Sequence, residues 1–389
     1  MDILSDDGAL ALEMAAAEAD PDSLGAAERM RRRFPPELAA AALTQVALRR
    51  RAREKLPMAD RMFFTPDGLE QATRWVVARW RATRFVEAGV SDVWDLGCGI
   101  GVDAMALAEA GLGVHAVESD PATAALARAN LALVGGGEVT VGRAEDIRVP
   151  EGCGIFLDPA RRTARGRTWD VADLTPPWSL VEDHLRGQRV VFVKLGPGLP
   201  KQLIPEGVGA AWVSVKGDVV ELMLSNASDP GSRAVVFPRG EPEPHVLTGG
   251  AAPLPVAPPG RFIHEPDNAV VRAGLVADSA PGGWLLAPGV AYVSSDSPVG
   301  GPFVTSYRVI DVLDHDVATL RRWVKQHRIG RLEIKRRAID VDPAVLRKQL
   351  KPRGDGAATL LLARTVAGAR AFVVERVGCP AHRRLRRHI

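Results

Sequence analysis

Apolar residues change their period along this chain, and the changes divide it. Over residues 1–88 they recur every three or four positions. "ALALEMAAAEADP" (9–21), "PPELAAAALTQVALRRRAREKL" (35–56) and "TPDGLEQATRWVVARWRATRFVEAG" (65–89) are rich in helix formers and predict helices. The third opens on a Thr-Pro-Asp cap signal and closes at Gly89, which predicts one continuous helix. From residue 91 short apolar runs alternate with helical ones. "SDVWDL", "GVHAVE", "VTVGRA", "CGIFLDP" and "RVVFVKL" predict five strands, and "VDAMALAEAG" and "DPATAALARANLALVG" predict helices between the first of them. "AAWVSV" and "VVELMLS" around Lys-Gly-Asp predict an antiparallel pair joined by a tight turn.

A stretch rich in Pro and Gly, "FPRGEPEPHVLTGGAAPLPVAPPG", interrupts the alternation and predicts short strands without a long helix. Beyond it the pattern resets to strand, helix ("DVATLRRWVKQH"), strand ("GRLEIKR"), helix ("DPAVLRKQLKP") and two strands ("ATLLLART", "ARAFVVERV"). The expected organisation is a helical region over 1–88, an α/β domain with a parallel sheet over 89–228, a connecting segment over 229–300 and a small α/β domain over 301–389.

Composition narrows the class. The 389 residues are 46% hydrophobic and 25% charged, as in globular proteins. No apolar run approaches the roughly 20 residues of a membrane helix, and the acidic "MDILSDDGAL" is no secretory leader. Cys98, Cys153 and Cys379 lie far apart without a CxxC. That argues against a disulfide framework or a cysteine metal site and fits a reducing cytoplasm. Neither a membrane nor a metal is expected.

Charge changes the picture more. Residues 321–389 hold nineteen Lys and Arg against five Asp and Glu, a net +14; the preceding residues hold 31 against 42, a net −11. Such polarity predicts a basic surface for a polyanion. The clusters Arg31–Arg33 and Arg49–Arg53 alternate with acids and read as solvated faces.

The candidate chemistry begins at "VWDLGCGIGVDAMAL" (93–107). Gly97, Gly99 and Gly101 let a strand turn sharply and let a ligand approach backbone N–H groups at a helix start. That loop alone admits a dinucleotide, a nucleoside triphosphate or S-adenosylmethionine. No G-K-[ST] follows, which argues against a triphosphate loop. Asp95 beside the loop would repel a pyrophosphate and attract the amino group of a methionine. Glu118, ending the second strand, is placed for two ribose hydroxyls; Asp120 competes with it but also suits a helix cap before Pro121. In "GRAEDI", Glu145 and Asp146 follow the third strand within reach of an adenine amino group.

The fourth strand ends in "FLDPARR", where reacting groups of an open α/β sheet belong. Asp158 with the Pro159 carbonyl suits an acceptor nitrogen that sheds a proton. Lys194 on the fifth strand holds a phosphate or pairs with Asp158. Arg161 and Arg162 suit a phosphate.

"DLGCGIG", "VES", "AED" and "DPARR" in this order resemble the motifs of class I S-adenosylmethionine-dependent methyltransferases over roughly residues 65–226. The resemblance implies a Rossmann-like sheet, Asp95, Gly97, Gly99 and Gly101 around the methionine, Glu118 on the ribose and Asp146 or its neighbour near adenine. Arg143 stands where many relatives carry an acid. "DPAR" is similar to a motif of RNA uracil-C5 methyltransferases, but the fifth strand carries Lys194 and no cysteine, which speaks against their covalent route. No aromatic residue follows "DPAR" as it does in amino-nitrogen methylases. "LEQATRWVVARWRA" (69–82), "HEPDNAVVRAGL" (264–275) and "LEIKRRAIDVDPAVLRKQLKPRG" (332–354) resemble a bacterial methyltransferase family ending in a THUMP-like domain. That resemblance implies RNA as partner, with Lys335, Arg336, Arg337, Lys351 and Arg353 as contacts, and S-adenosyl-L-methionine as cofactor. "IKRRA" has Ala338 where the family pattern has glycine. Gln71 is a candidate cofactor contact, and Glu265 with Arg272 a structural ion pair.

Overall fold

The computed structural model describes residues 3–161 and 171–378. Arg162 and the arginines of the C-terminal "HRRLRRHI" lie outside them. The chain forms two compact units, one of residues 1–209 and 222–230, the other of 210–221 and 231–389.

The first unit opens with helices α1 (Asp6–Ala16), α2 (Leu24–Arg31) and α3 (Pro36–Ala52). Ser5 and Ser23 cap the first two by accepting backbone N–H bonds, satisfying donors a helix cannot pair itself. Leu12, Met30, Leu38 and Val46 share their core, each worth about 1.5–3 kcal/mol on full burial. Two residues of the arginine clusters are structural: Arg50 donates to the carbonyls of Ala19 (2.8 Å) and Glu18 (2.5 Å), and Arg49 to that of Met62 (2.8 Å).

The helix expected over 65–88 is two. α4 (Pro66–Gln71) and α5 (Trp75–Glu87) are separated where Ala72 turns extended, at φ −53° and ψ 137°. Apolar periodicity runs through the break, so the sequence pattern hides it. Thr65 caps α4 as its residue type predicts.

The sheet of this unit contains β1 (Asp92–Leu96), β2 (Gly113–Glu118), β3 (Glu138–Val141), β4 (Gly154–Leu157) and β5 (Val191–Leu195). They are parallel in the order β5-β4-β1-β2-β3. α6 (Val102–Glu109) and α7 (Pro121–Leu131) link the first three strands, and α8 (Trp178–Arg186) precedes β5. Between β3 and β4 the crossover holds a single 3-10 turn, Ala144–Asp146, in place of a helix. β6 (Gly209–Val215) and β7 (Asp218–Ser225) form the expected hairpin. Lys216 and Gly217 at its tip have φ of 57° and 95°, as a two-residue turn of this hand requires. The end of β7, Leu222–Ser225, pairs antiparallel with β5.

In the second unit the segment 229–300 supplies β8 (Gly231–Phe237), β9 (His245–Thr248), β10 (Phe262–Pro266), β11 (Trp284–Leu285) and β12 (Val293–Ser295), with two short helices, α9 (Asn268–Ala273) and α10 (Val276–Ser279). Next come β13 (Val304–Asp314), α11 (Val317–Gln326), β14 (Ile329–Arg337), α12 (Pro343–Leu350), β15 (Gly356–Thr365) and β16 (Gly368–Arg376), the element order the periodicity predicts. Seven strands make one sheet, β11-β12-β10-β13-β16-β15-β14, so the connecting segment contributes three strands to it. α11 and α12 cover one face through Leu320, Val324, Leu346 and Leu350.

Candidate functional site

β1 delivers the chain into a turn where Gly97, Gly99 and Gly101 have φ of 96°, 56° and 83°, a region that penalises any side chain. α6 starts immediately after. Asn130 of α7 locks this turn: its side chain donates to the Ile100 and Phe63 carbonyls (2.8 and 2.9 Å) and accepts from the Phe63 N–H (2.7 Å). Asn130 is therefore architectural.

A cavity of about 320 Å³ opens beside the loop. It is lined by Gly97, Cys98, Gly99 and Ile100, by Glu118 and Ser119, by Arg143 and Glu145, by Gly68, Gln71, Ala72 and Thr73, and by Asp158, Ala160 and Lys194. Glu118 accepts from the Gly99 N–H (3.0 Å) and, through its other oxygen, from the Asp120 N–H (2.9 Å). The Asp120-bonded oxygen also accepts from the Ser119 hydroxyl (3.2 Å); with about four acceptor positions on a carboxylate, the oxygen bonded to Gly99 keeps capacity. Asp120 caps α7 by accepting from Thr123 (2.9 Å); this is the alternative its neighbour Pro121 predicts.

Asp95 is completely buried, and neither of its oxygens has a hydrogen-bond partner among the described residues. Burial holds its carboxyl well above the usual range; the charges of Asp103 and Asp158 add to this, and Arg81 and Lys194 oppose it. A desolvated carboxylate is costly until a cation reaches it. An acid so placed favours a cationic group near it. Asp95 itself is not among the lining residues.

Sequence reasoning misses a second buried charged group. Asp103, in the first turn of α6, bonds the Arg81 guanidinium and accepts from the Thr73 hydroxyl (2.6 Å). Arg81 lies 4.7 Å over the Phe156 ring. An acid inside the otherwise apolar "VDAMALAE" is the sequence signal for it.

At the end of β4, Lys194 Nζ lies 2.5 Å from Asp158 Oδ2, so the pairing alternative for Lys194 is the one adopted. Pro159 is buried and does not line the cavity. Glu145 lines the cavity and pairs with Arg143 at 2.9 Å. Its neighbour Asp146 is exposed and outside the lining, because the 3-10 turn points successive side chains in different directions. Gln71 is a lining residue, and its carbonyl accepts from Lys194 (3.1 Å).

In the second unit Glu265 pairs with Lys335 (2.6 Å). This corrects the expected Glu265–Arg272 pair: β14 and β10 bring residues 70 positions apart together. Arg337 donates to the Pro266 carbonyl and Asn268 Oδ1, both at 3.3 Å, and Arg336 to the Ile339 carbonyl (3.0 Å). Lys351 and Arg353 are exposed. His264 is buried between Ser306 and Ser295, each 2.7 Å away, and burial lowers its pKa to about 4, so it stays neutral. Asp267 caps α9 and Asn268 donates to the Gly217 carbonyl (3.1 Å). The "HEPDN" motif thus holds strands and a turn in place. Ala338 lies at φ 53°, the left-handed region the missing glycine would relieve.

Among the described residues no helix is long and apolar enough to cross a membrane and no group of His, Cys, Asp and Glu suits a metal ion.

Residues 304–376 match the model of the THUMP domain-like family, and residues 2–52 match a domain of unknown function. Sequences from two strains of Mycobacterium tuberculosis, each described as an uncharacterized S-adenosylmethionine-dependent methyltransferase, are 35% identical over 355 residues, covering 86% of this chain and 95% of theirs. A crystal structure from Porphyromonas gingivalis W83, of a protein assigned as a methyltransferase, superposes with a TM-score of 0.74 at 22% identity over 95% of this chain and 99% of that one; it shows the shared fold. Matched to the Mycobacterium tuberculosis relatives over nearly their whole length, the chain belongs to the S-adenosylmethionine-dependent methyltransferases.

Proposed function

We propose that this enzyme methylates RNA, of the tRNA or rRNA class, by direct transfer without a covalent enzyme adduct. One observation carries the reading: the Asp158–Lys194 pair and the glycine turn line the same cavity, in a chain with a THUMP-like region and a strongly basic C-terminal part.

Gly97, Gly99 and Gly101 admit the cofactor's methionine part, Glu118 accepts its ribose hydroxyls, and Asp95, buried and outside the lining, acts on its amino group through charge and not by direct contact. Glu145 takes the adenine side that Asp146 does not reach, and Gln71 closes the opposite wall. Bound there, S-adenosylmethionine supplies a sulfonium-activated methyl group for in-line attack, a reaction in which the enzyme mainly orients. Lys194 fixes the Asp158 carboxylate, whose remaining lone pairs accept the acceptor's N–H and then its proton. Cys98 is the lining thiol, and burial pushes its pKa well up, which makes it a poor nucleophile and supports the non-covalent route.

RNA enters on the basic part. Lys335 and Arg337 are engaged within the second unit, whereas Arg322 and Lys325 on α11 and Lys348, Lys351 and Arg353 on and after α12 are exposed, on helices whose other side faces the core. These outward cations are the phosphate contacts, and Arg161, three positions after Asp158 in the sequence, is a further candidate. RNA binding that falls steeply as salt rises supports this; salt-insensitive binding contradicts it. Nucleoside mass spectrometry of RNA from cells with and without the gene then names the product.

A further inference from the structure

Had α4 continued past Gln71, the carbonyls of Leu69, Glu70 and Gln71 would accept from the N–H groups of residues 73, 74 and 75. Two lysines take that place. Lys55 Nζ donates to Leu69 O (2.9 Å) and Glu70 O (3.0 Å), and Lys194 Nζ donates to Gln71 O (3.1 Å). The released Trp75 N–H donates to the backbone carbonyl of Lys55 itself (3.1 Å). Lys55 therefore holds both sides of the break between α4 and α5.

This break shapes the cavity. Gly68, Gln71, Ala72 and Thr73 form one of its walls. At Gly68 the backbone lies so near the glycine turn that an added Cβ would sit 2.6 Å from Ile100 Cγ2. Six residues are too few for a self-supporting helix, so the wall stands where its anchors put it. At its far end Thr73 is tied to Asp103 (2.6 Å).

We propose that Lys55 is a positioning residue for S-adenosylmethionine: by holding the Leu69 and Glu70 carbonyls it sets the wall of the cofactor cavity, and with Lys194 it joins that wall to Asp158. The proposal rests on the chain's membership of the methyltransferases and not on RNA as substrate. Three charged groups face the Lys55 ammonium: Lys194 on β5, Arg74 at the start of α5 and Glu70 on α4. Half-burial, helped by Lys194 and Arg74, lowers its pKa to about 8. The charge-assisted bonds it makes thus weaken across the mildly alkaline range.

The test is calorimetric titration of the full chain with S-adenosylmethionine at pH 7 and pH 9. It compares the wild type, Lys55→Met, which keeps the apolar stem, and Lys55→Arg, which keeps a permanent charge. Loss of charged-donor bonds predicts an affinity about tenfold lower in Lys55→Met at pH 7. Titration of the ligand's own amino group is common to all three proteins, so the ratio of wild-type to Lys55→Arg affinity isolates Lys55. It falls between pH 7 and pH 9. Hydrogen exchange at the amides of 68–73 rises in Lys55→Met while that of α6 does not. Wild-type affinity in Lys55→Met overturns the proposal. So does a wild-type to Lys55→Arg ratio that stays constant with pH, or exchange that rises equally in α6, which would mark a loss of general stability.

Discussion

Lys194 on β5 and Asp158, just past the end of the neighbouring parallel strand β4, meet at 2.5 Å, and the same ammonium reaches the Gln71 carbonyl. One side chain thus connects the proposed acceptor site to the cofactor wall. Asp158→Asn keeps the shape and removes the charge. It should retain S-adenosylmethionine affinity and lose methyl transfer by at least about 100-fold, the usual scale of proton-transfer assistance. Calorimetry and single-turnover transfer check the two halves; full transfer activity would remove Asp158 from the mechanism.

Asp95 is buried without a partner and its carboxyl is raised, so its effects on stability and on binding should oppose each other. A carboxyl whose folded pKa lies above its unfolded value of about 4 binds protons more tightly in the fold. Its contribution therefore declines as pH rises from about 4 toward the folded pKa, by up to about 1.4 kcal/mol per pH unit. Asp95→Asn removes this pH dependence, so the stability of the cofactor-free variant should gain on that of wild type as pH rises from about 4 toward the folded pKa. It should also bind S-adenosylmethionine about tenfold more weakly, for want of the charge that attracts its amino group. Chemical denaturation at several pH values and calorimetry report on each.

Ala338 occupies the left-handed region at φ 53°, where a non-glycine residue costs about 1–2 kcal/mol. Ala338→Gly recovers part of this against the greater freedom glycine gives the unfolded chain. The expected gain is about 0.5–1 kcal/mol, read as a higher denaturation midpoint; a lower midpoint would show that the turn is not strained.

On the helical face of the C-terminal region, Arg322→Glu with Lys325→Glu should weaken RNA binding. Its dependence on log salt should flatten by about 1 for each phosphate that the protein no longer neutralises. Lys335, held by Glu265, should instead affect stability: Lys335→Met leaves the Glu265 carboxylate with the Tyr307 hydroxyl (3.3 Å) but no cation, and lowers the denaturation midpoint. Filter binding across a salt series separates these roles.

The sequence makes visible those features that short-range physics determines. The turn at Lys216 and Gly217, the cap at Asp120 and the alternating elements of 304–376 each depend on neighbours a few residues away. The glycine turn is legible because its positive φ angles admit few alternatives. The break after Gln71 is hidden because apolar spacing continues through it while its anchors come from Lys55 and Lys194, the latter 123 positions on. Local spacing puts Glu265 beside Arg272, but the tertiary fold delivers Lys335 from a strand that is not β10's neighbour in the sheet. Choosing between Glu145 and Asp146 depends on the pitch of a single 3-10 turn, which composition does not encode.

The central claim is that a methyl group passes from S-adenosylmethionine to RNA at Asp158. The direct measurement is transfer of label from methyl-labelled S-adenosylmethionine to RNA from cells lacking the gene, with wild type and Asp158→Asn side by side. The account predicts label in RNA with wild type and almost none with the variant, while both proteins bind the cofactor. Equal labelling by both proteins, or a wild type that binds S-adenosylmethionine and leaves RNA unlabelled, would contradict it.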